Sequence, residues 1–203
     1  MMDFIPTLSH LLPCSLTNIQ YLRFLIMAKT KSLEKRHRTF IEDQKMFFVA
    51  TTPDSGRINL SPKGMDSFRI VDETTVLWMN LTGSGNETQA HVAENGRMTI
   101  MFCAFEGAPN ILRLYGEASF ILPGDNRWDD CISKFPKMLG TRQFFELKID
   151  LIQTSCGFAV PLYEYEGQRD TLTKWSEHKG EQGIRDYWDK KNKISLDDKP
   201  IKF

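Results

Sequence analysis

Leu112, Leu114, Gly116, Ala118 and Phe120 alternate with Arg113, Tyr115, Glu117 and Ser119. Further on, Phe145, Leu147, Ile149 and Leu151 alternate with Glu146, Lys148 and Asp150. Successive side chains of a strand point to opposite faces, so a period of two puts one face of each segment in a core. Residues 46–52 and 98–105 are apolar at both parities and belong at the centre of a sheet. Pro53-Asp54-Ser55-Gly56 predicts a tight turn into a returning strand over 57–61. Pro62 is expected to end that strand, leaving Lys63-Gly64 at its tip. Short strands follow over 68–71 and 75–80, parted by Asp72-Glu73-Thr74. Strands that follow one another through hairpins argue against a doubly wound parallel fold. They predict a mainly β protein, a small barrel of six to seven antiparallel strands with peripheral helices, whose closure would remove exposed edges.

The helices fit around this frame. Leu33, His37, Phe40 and Ile41 lie near one face of a helix over 32–44. Asn86 is expected to cap a helix reaching Glu94, with Gln89 at the third helical position as a capping-box variant and Asn95-Gly96 closing it. Asp125 is expected to open a third helix to about Lys134, and residues 156–161 read as an irregular, buried turn. A chain of 203 residues has room for one core-bearing domain, which we place at 27–166. Residues 167–203 read as a charged helical tail anchored by Leu172, Trp175, Ile184, Tyr187 and Trp188. Residues 1–26, with a different composition, read as a poorly ordered or surface-docked extension, and Met27 as a plausible start of the domain.

Lys and Arg total 26, as do Asp and Glu, which argues against a broad nucleic-acid surface while leaving room for a local basic pocket. Cys14, Cys103, Cys131 and Cys156 are too scattered for a zinc site or a disulfide framework, so no metal is expected and the compartment reads as reducing and cytoplasmic. The sequons at Asn59, Asn80 and Asn86 fall in core or pocket segments where a glycan has no room. No apolar run is long enough for a membrane span.

The chemistry concentrates between Arg57 and Phe105. Residues 81–86 form a small-residue loop ending where a helix begins, so free N–H groups and the positive helix end converge on Gly83-Ser84-Gly85-Asn86-Glu87-Thr88. Such a junction suits a phosphate. Gly83-x-Gly85 lacks the third glycine of a dinucleotide fingerprint and the Gly-Lys-Ser/Thr of a P-loop, and a plain connection has the same composition. Arg57, Asn59, Ser61 and Lys63 share one parity of their strand, which reads either as a pocket wall or as a solvated edge face. Arg142 and Gln143, opening the last long strand, read as a donor pair or a surface pair. Trp78 precedes the loop, placed to flank an aromatic ring or to fill the core. His91 and Cys103 have no evident orienting acid, so no catalytic pair is assigned.

Ile58-Asn59-Leu60-Ser61-Pro62-Lys63-Gly64, Gly83-Ser84-Gly85-Asn86-Glu87-Thr88 and Asn95-Gly96-Arg97 together resemble the pyridoxamine 5′-phosphate oxidase-like, FMN-binding split β-barrel family. Gly140-Thr141-Arg142-Gln143 and Gln153-Thr154-Ser155-Cys156-Gly157 resemble later segments of a mostly uncharacterised branch of it. The resemblance covers about residues 36–200 and implies a split barrel. It also implies a homodimer with interfacial cofactor sites, and FMN as the usual cofactor. Carried over, the cofactor-binding set is Arg57, Asn59, Ser61, Lys63, Ser84, Asn86, Glu87, Thr88, Arg142 and Gln143. The oxidase itself has a basic signature where this chain has Asn86-Glu87-Thr88, and its carboxy-terminal substrate segment is not recognisable here. The activity implied is an FMN-dependent oxidoreductase acting on a small molecule. Alternatives are a deazaflavin in place of FMN, or a non-enzymatic flavin or haem binder (storage, sensing) with His91 as the haem ligand to suspect. A scaffold without a cofactor is a further alternative.

Overall fold

The structure, a computed structural model, describes residues 28–202. The extension assigned to residues 1–26 lies outside the described residues. One antiparallel sheet dominates, with strands in the order β3-β2-β6-β7-β8-β5-β4. They are β2 (Phe47–Thr51), β3 (Asn59–Lys63), β4 (Phe68–Ile70), β5 (Thr75–Leu81), β6 (Arg97–Cys103), β7 (Ile111–Ile121) and β8 (Thr141–Ser155), and a short β1 (Lys29–Thr30) pairs with β8. Among the described residues four helices accompany them: α1 (Lys35–Asp43), α2 (Glu87–Asn95), α3 (Trp128–Ile132) and α4 (Thr171–Lys191), the last broken at Gly180. The two margins of the sheet, β3 and β4, are consecutive in sequence, joined by residues 64–67. Seven strands laid flat would part those margins by about 29 Å, at ~4.8 Å per neighbour. The connector spans at most about 18 Å. The sheet therefore curls into a half-barrel.

A bulge between Tyr115 and Gly116 helps the curl. Only glycine fits there, since a Cβ on Gly116 would lie 1.9 Å from the Lys148 carbonyl oxygen. Val49, Val76, Trp78, Ile100, Phe102, Leu112, Leu114, Phe145 and Leu147 fill the concave side, closed by Leu33 and by Ile41 of α1. Leu77, Met79 and Phe144 face the other way and meet Cys131 of α3 and Phe135 in a second cluster. This double burial explains why β5 is apolar at both parities, whereas β3, an edge, alternates half-buried and exposed.

Several local expectations need correction. Pro62 does not end its strand: it pairs with Phe48 inside β3, which tolerates a residue without an N–H because β3 is an edge. Asn86 stands at the N-cap of α2 without a side-chain capping bond. Nor is there a capping box, because the Gln89 amide is turned to the backbone of Lys202. Asp125 does not open α3 but closes a tight turn, its carboxylate accepting from Leu122 N–H at 2.6 Å, and the helix starts only at Trp128. The turn after β8 is not buried: Phe158 is 67% exposed.

Candidate functional site

A cavity of about 560 Å³ opens between the inner parity of β3, the end of β5, the glycine loop and the start of α2. That volume lies within the range of small-molecule and cofactor sites. Asn59, Ser61, Lys63, Ser84, Asn86, Glu87, Thr88 and Arg142 all line it, with Trp78 and Asn80 from β5 and Leu172 and Leu196 from the tail. Strand parity does this for β3, whose outward-facing Leu60 is left 64% exposed.

The loop is held from behind. Asn192, fully buried, donates through Nδ2 to the carbonyls of Gly83 and Ser84, each at 3.2 Å. Arg142 Nη1 donates to the Gly85 carbonyl at 3.0 Å and to Asn192 Oδ1 at 2.8 Å. Gln143 and Asn86 exchange amide hydrogen bonds of 2.8 and 3.2 Å, and Asn80 Nδ2 donates to Asn86 Oδ1 at 3.2 Å. With the carbonyls occupied, no described residue accepts from the N–H groups of Gly85, Asn86, Glu87 or Thr88. These are the unpartnered donors a helix start offers to an anion.

Among the described residues, the positive charge has no ion-pair partner. Lys63 Nζ sits 5.0 Å from the centre of the Trp78 ring and makes no ion pair with a described residue. Burial, and then the nearby Arg142 charge, lower its pKa from 10.5 to about 8. Burial likewise lowers Arg142 to about 10. Ser61 Oγ and Arg142 Nε are buried without a hydrogen-bond partner. Two desolvated cations, an orphaned hydroxyl and an orphaned guanidinium N–H are costly unless an anion completes them. The residues present thus fit a phosphate. Asn59 Nδ2 donates to Thr88 Oγ1 at 3.2 Å and ties β3 to α2 across the site.

Two residues of the expected set lie elsewhere. Arg57 precedes β3, and its guanidinium pairs with Asp197 of the tail, whose carboxylate the Arg57 backbone N–H and then that guanidinium hold below the usual range. Gln143 is fully buried behind Asn86, where it orients the loop. Glu87 lines the cavity, and its Oε2 accepts from Leu196 N–H at 2.9 Å. Sequence reasoning missed Asn80, Asn192 and Leu196. Asn80 stands one residue before the loop on an apolar strand, a usable signal, but nothing marks Asn192 within its charged surroundings. His91 is buried, its Nδ1 3.0 Å from Thr51 Oγ1, and no histidine lines the cavity among the described residues.

Residues 33–156 match the family described as pyridoxamine 5′-phosphate oxidase. The chain belongs to that family. The pyridoxamine 5′-phosphate oxidase family protein ustO of Aspergillus flavus is 40% identical over 139 residues, 66% of this chain and 56% of that protein. The chain therefore matches little more than half the length of that curated relative. A Lactobacillus delbrueckii crystal structure, described as a candidate pyridoxamine 5′-phosphate oxidase, is 14% identical with a TM-score of 0.50, covering 61% of this chain and 94% of that one. The haem storage protein HutZ of Vibrio cholerae is 19% identical with a TM-score of 0.47, covering 62% and 96%. Other structural neighbours are described as FMN-binding or FAD-binding. These likenesses concern the fold. No helix of the described residues is long and apolar enough to cross a membrane.

Proposed function

We propose that this pyridoxamine 5′-phosphate oxidase family chain binds FMN in the β3–α2 cavity, as a homodimer in the cytoplasm, and works as a flavin-dependent oxidoreductase on a small molecule. The observation that carries the reading is the pair of cations, half-buried Lys63 and buried Arg142, with no ion-pair partner among the described residues, beside the orphaned Ser61 Oγ. Lys63, Ser61, Arg142 Nε and the free N–H groups at the start of α2 would hold the phosphate, and charge-assisted hydrogen bonds of this kind are roughly twice as strong as neutral ones. Thr88 and Asn59 would brace the site across its two walls. Trp78, half of a stacked pair with Phe145 at 4.8 Å, offers the floor beneath Lys63. Glu87, whose Oε2 accepts from Leu196 N–H, keeps its charge at the cavity wall and is the one carboxylate there among the described residues that opposes the anion. The flavin, when bound, supplies hydride or electron transfer, and the protein supplies orientation and electrostatics.

The same cavity supports a second reading, a flavin-binding barrel without turnover, because Glu87 is its only carboxylate among the described residues and is already engaged. Haem ligation has less support, as no histidine lines the cavity. Titrating the purified protein with FMN, then adding a nicotinamide donor and following the flavin absorbance, tests the proposal. Tight binding with bleaching supports the enzyme, binding without bleaching by this or any artificial donor supports the second reading, and no binding refutes both.

A further inference from the structure

A second cavity, of about 520 Å³, lies apart from the phosphate cradle, between α1, the turn joining β6 to β7, and the extended residues 163–165. The apolar part of its wall includes Phe40, Met46, Phe105, Pro109, Tyr163 and Tyr165. The outer wall is preformed. Tyr163 N–H donates to the Phe105 carbonyl at 2.9 Å and the two rings lie 5.4 Å apart. Tyr165 N–H donates to Glu106 Oε1 at 3.3 Å, and Lys45 Nζ stands 5.9 Å from the Tyr165 ring centre. Gln168 pins the end of this segment, donating to the Lys45 carbonyl at 2.8 Å and accepting from Met65 N–H at 3.0 Å.

His37 lines this cavity and is only 2% exposed. Its Nδ1 accepts from the Glu34 N–H at 3.1 Å, part of the start of α1, so a neutral ring carries its proton on Nε2. Burial, and then the adjacent Arg36, push the His37 pKa down, which keeps the ring neutral near pH 7. The Nε2–H is therefore a buried donor, and no described residue accepts from it. Buried donors without acceptors are rare in folded proteins and mark a missing partner. The charges at the cavity, Arg36 and Lys45 against Asp43, Glu106 and Glu164, are exposed and of both signs, so they call for no strongly charged guest.

We infer that this cavity is a second binding site, for a flat, uncharged, ring-bearing molecule whose carbonyl oxygen or ring nitrogen accepts a hydrogen bond from His37 Nε2–H. The aromatic walls supply the stacking surface and His37 an unpartnered directional donor, with Gln44, Asn110 and Thr154 the neutral polar side chains also in the lining. The inference does not rest on the flavin reading, since none of its residues belongs to the phosphate cradle.

Benzamide, a neutral ring with one carbonyl acceptor, is the probe. Saturation-transfer NMR on the full chain is expected to show millimolar binding, and the His37 Nε2 resonance in a long-range ¹H–¹⁵N spectrum is expected to move on titration. Ala108, exposed in the β6–β7 turn and lining the cavity, is the place to fill it without touching α1 or the core. Ala108→Trp should weaken benzamide at least about tenfold, while FMN binding and melting temperature stay as in the wild type. No saturation transfer, binding that leaves the His37 resonance unmoved, or binding unchanged in Ala108→Trp would each overturn the inference.

Discussion

Lys63 and Arg142 charge one cavity from strands that never pair: β3 is an edge, and β2, β6 and β7 lie between it and β8. The curl of the sheet brings them together, and the Arg142 charge adds to burial in lowering the Lys63 pKa to about 8. Neither side chain has a carboxylate partner among the described residues.

The first prediction concerns pH. A phosphate favours charged Lys63, which burial has brought down to about 8. FMN affinity should be flat from about pH 7, where the phosphate is a dianion, up to that pH and fall about tenfold per unit above it, as binding must then take up a proton. The flavin-free protein should behave in the opposite sense. Its folded-state Lys63 titrates below the ordinary 10.5, so between about 8 and 10.5 the unfolded chain holds more protons and stability rises with pH. Titration calorimetry in buffers of different ionisation enthalpy checks the first statement, and urea unfolding across the window checks the second. Lys63→Met should abolish both trends.

Two cations six residues apart, Arg57 ahead of β3 and Lys63 at its end, should behave differently. Lys63→Ala should weaken FMN at least about tenfold, the loss of one charge-assisted contact. Arg57→Ala should leave FMN affinity within about twofold, because its exposed pairing with Asp197 lies outside the cavity. Equal losses would place Arg57 at the phosphate after all.

Asn192 couples the tail to the loop. Asn192→Ala removes two donors to the Gly83 and Ser84 carbonyls and the acceptor for Arg142 Nη1, all in a fully buried setting. The variant should lose about 2–3 kcal/mol of stability by denaturant unfolding. It should also weaken FMN, as Arg142 and the loop lose their brace. Stability lost with FMN affinity intact would confine Asn192 to folding.

Gly116→Ala tests the bulge. The added methyl would meet the Lys148 carbonyl oxygen at 1.9 Å, a backbone atom that no rotamer change can move aside. A loss of about 3 kcal/mol or more is expected, at the upper end of overpacking effects. A melting temperature unchanged from the wild type would mean that β7 and β8 are not in this register.

Local physics alone determines much of this protein. The two-residue periods of β7 and β8, the apolar runs of β2 and β6 and the turn at Pro53–Gly56 follow from side-chain alternation and turn chemistry. So does the meeting of loop and helix at Asn86. The parity of Asn59, Ser61 and Lys63 is likewise written in the chain, because alternation along one strand needs no knowledge of its neighbours. Tertiary structure decided what depends on distant segments. It turned Arg57 to Asp197, 140 positions away, and set Gln143 behind Asn86 while Arg142 faced the cavity. It also brought Asn192 and Leu196 to the glycine loop. Which way such side chains turn is fixed by where a curled sheet and a returning tail leave unpaired charge and carbonyls, and that balance exists only once segments far apart in sequence have met.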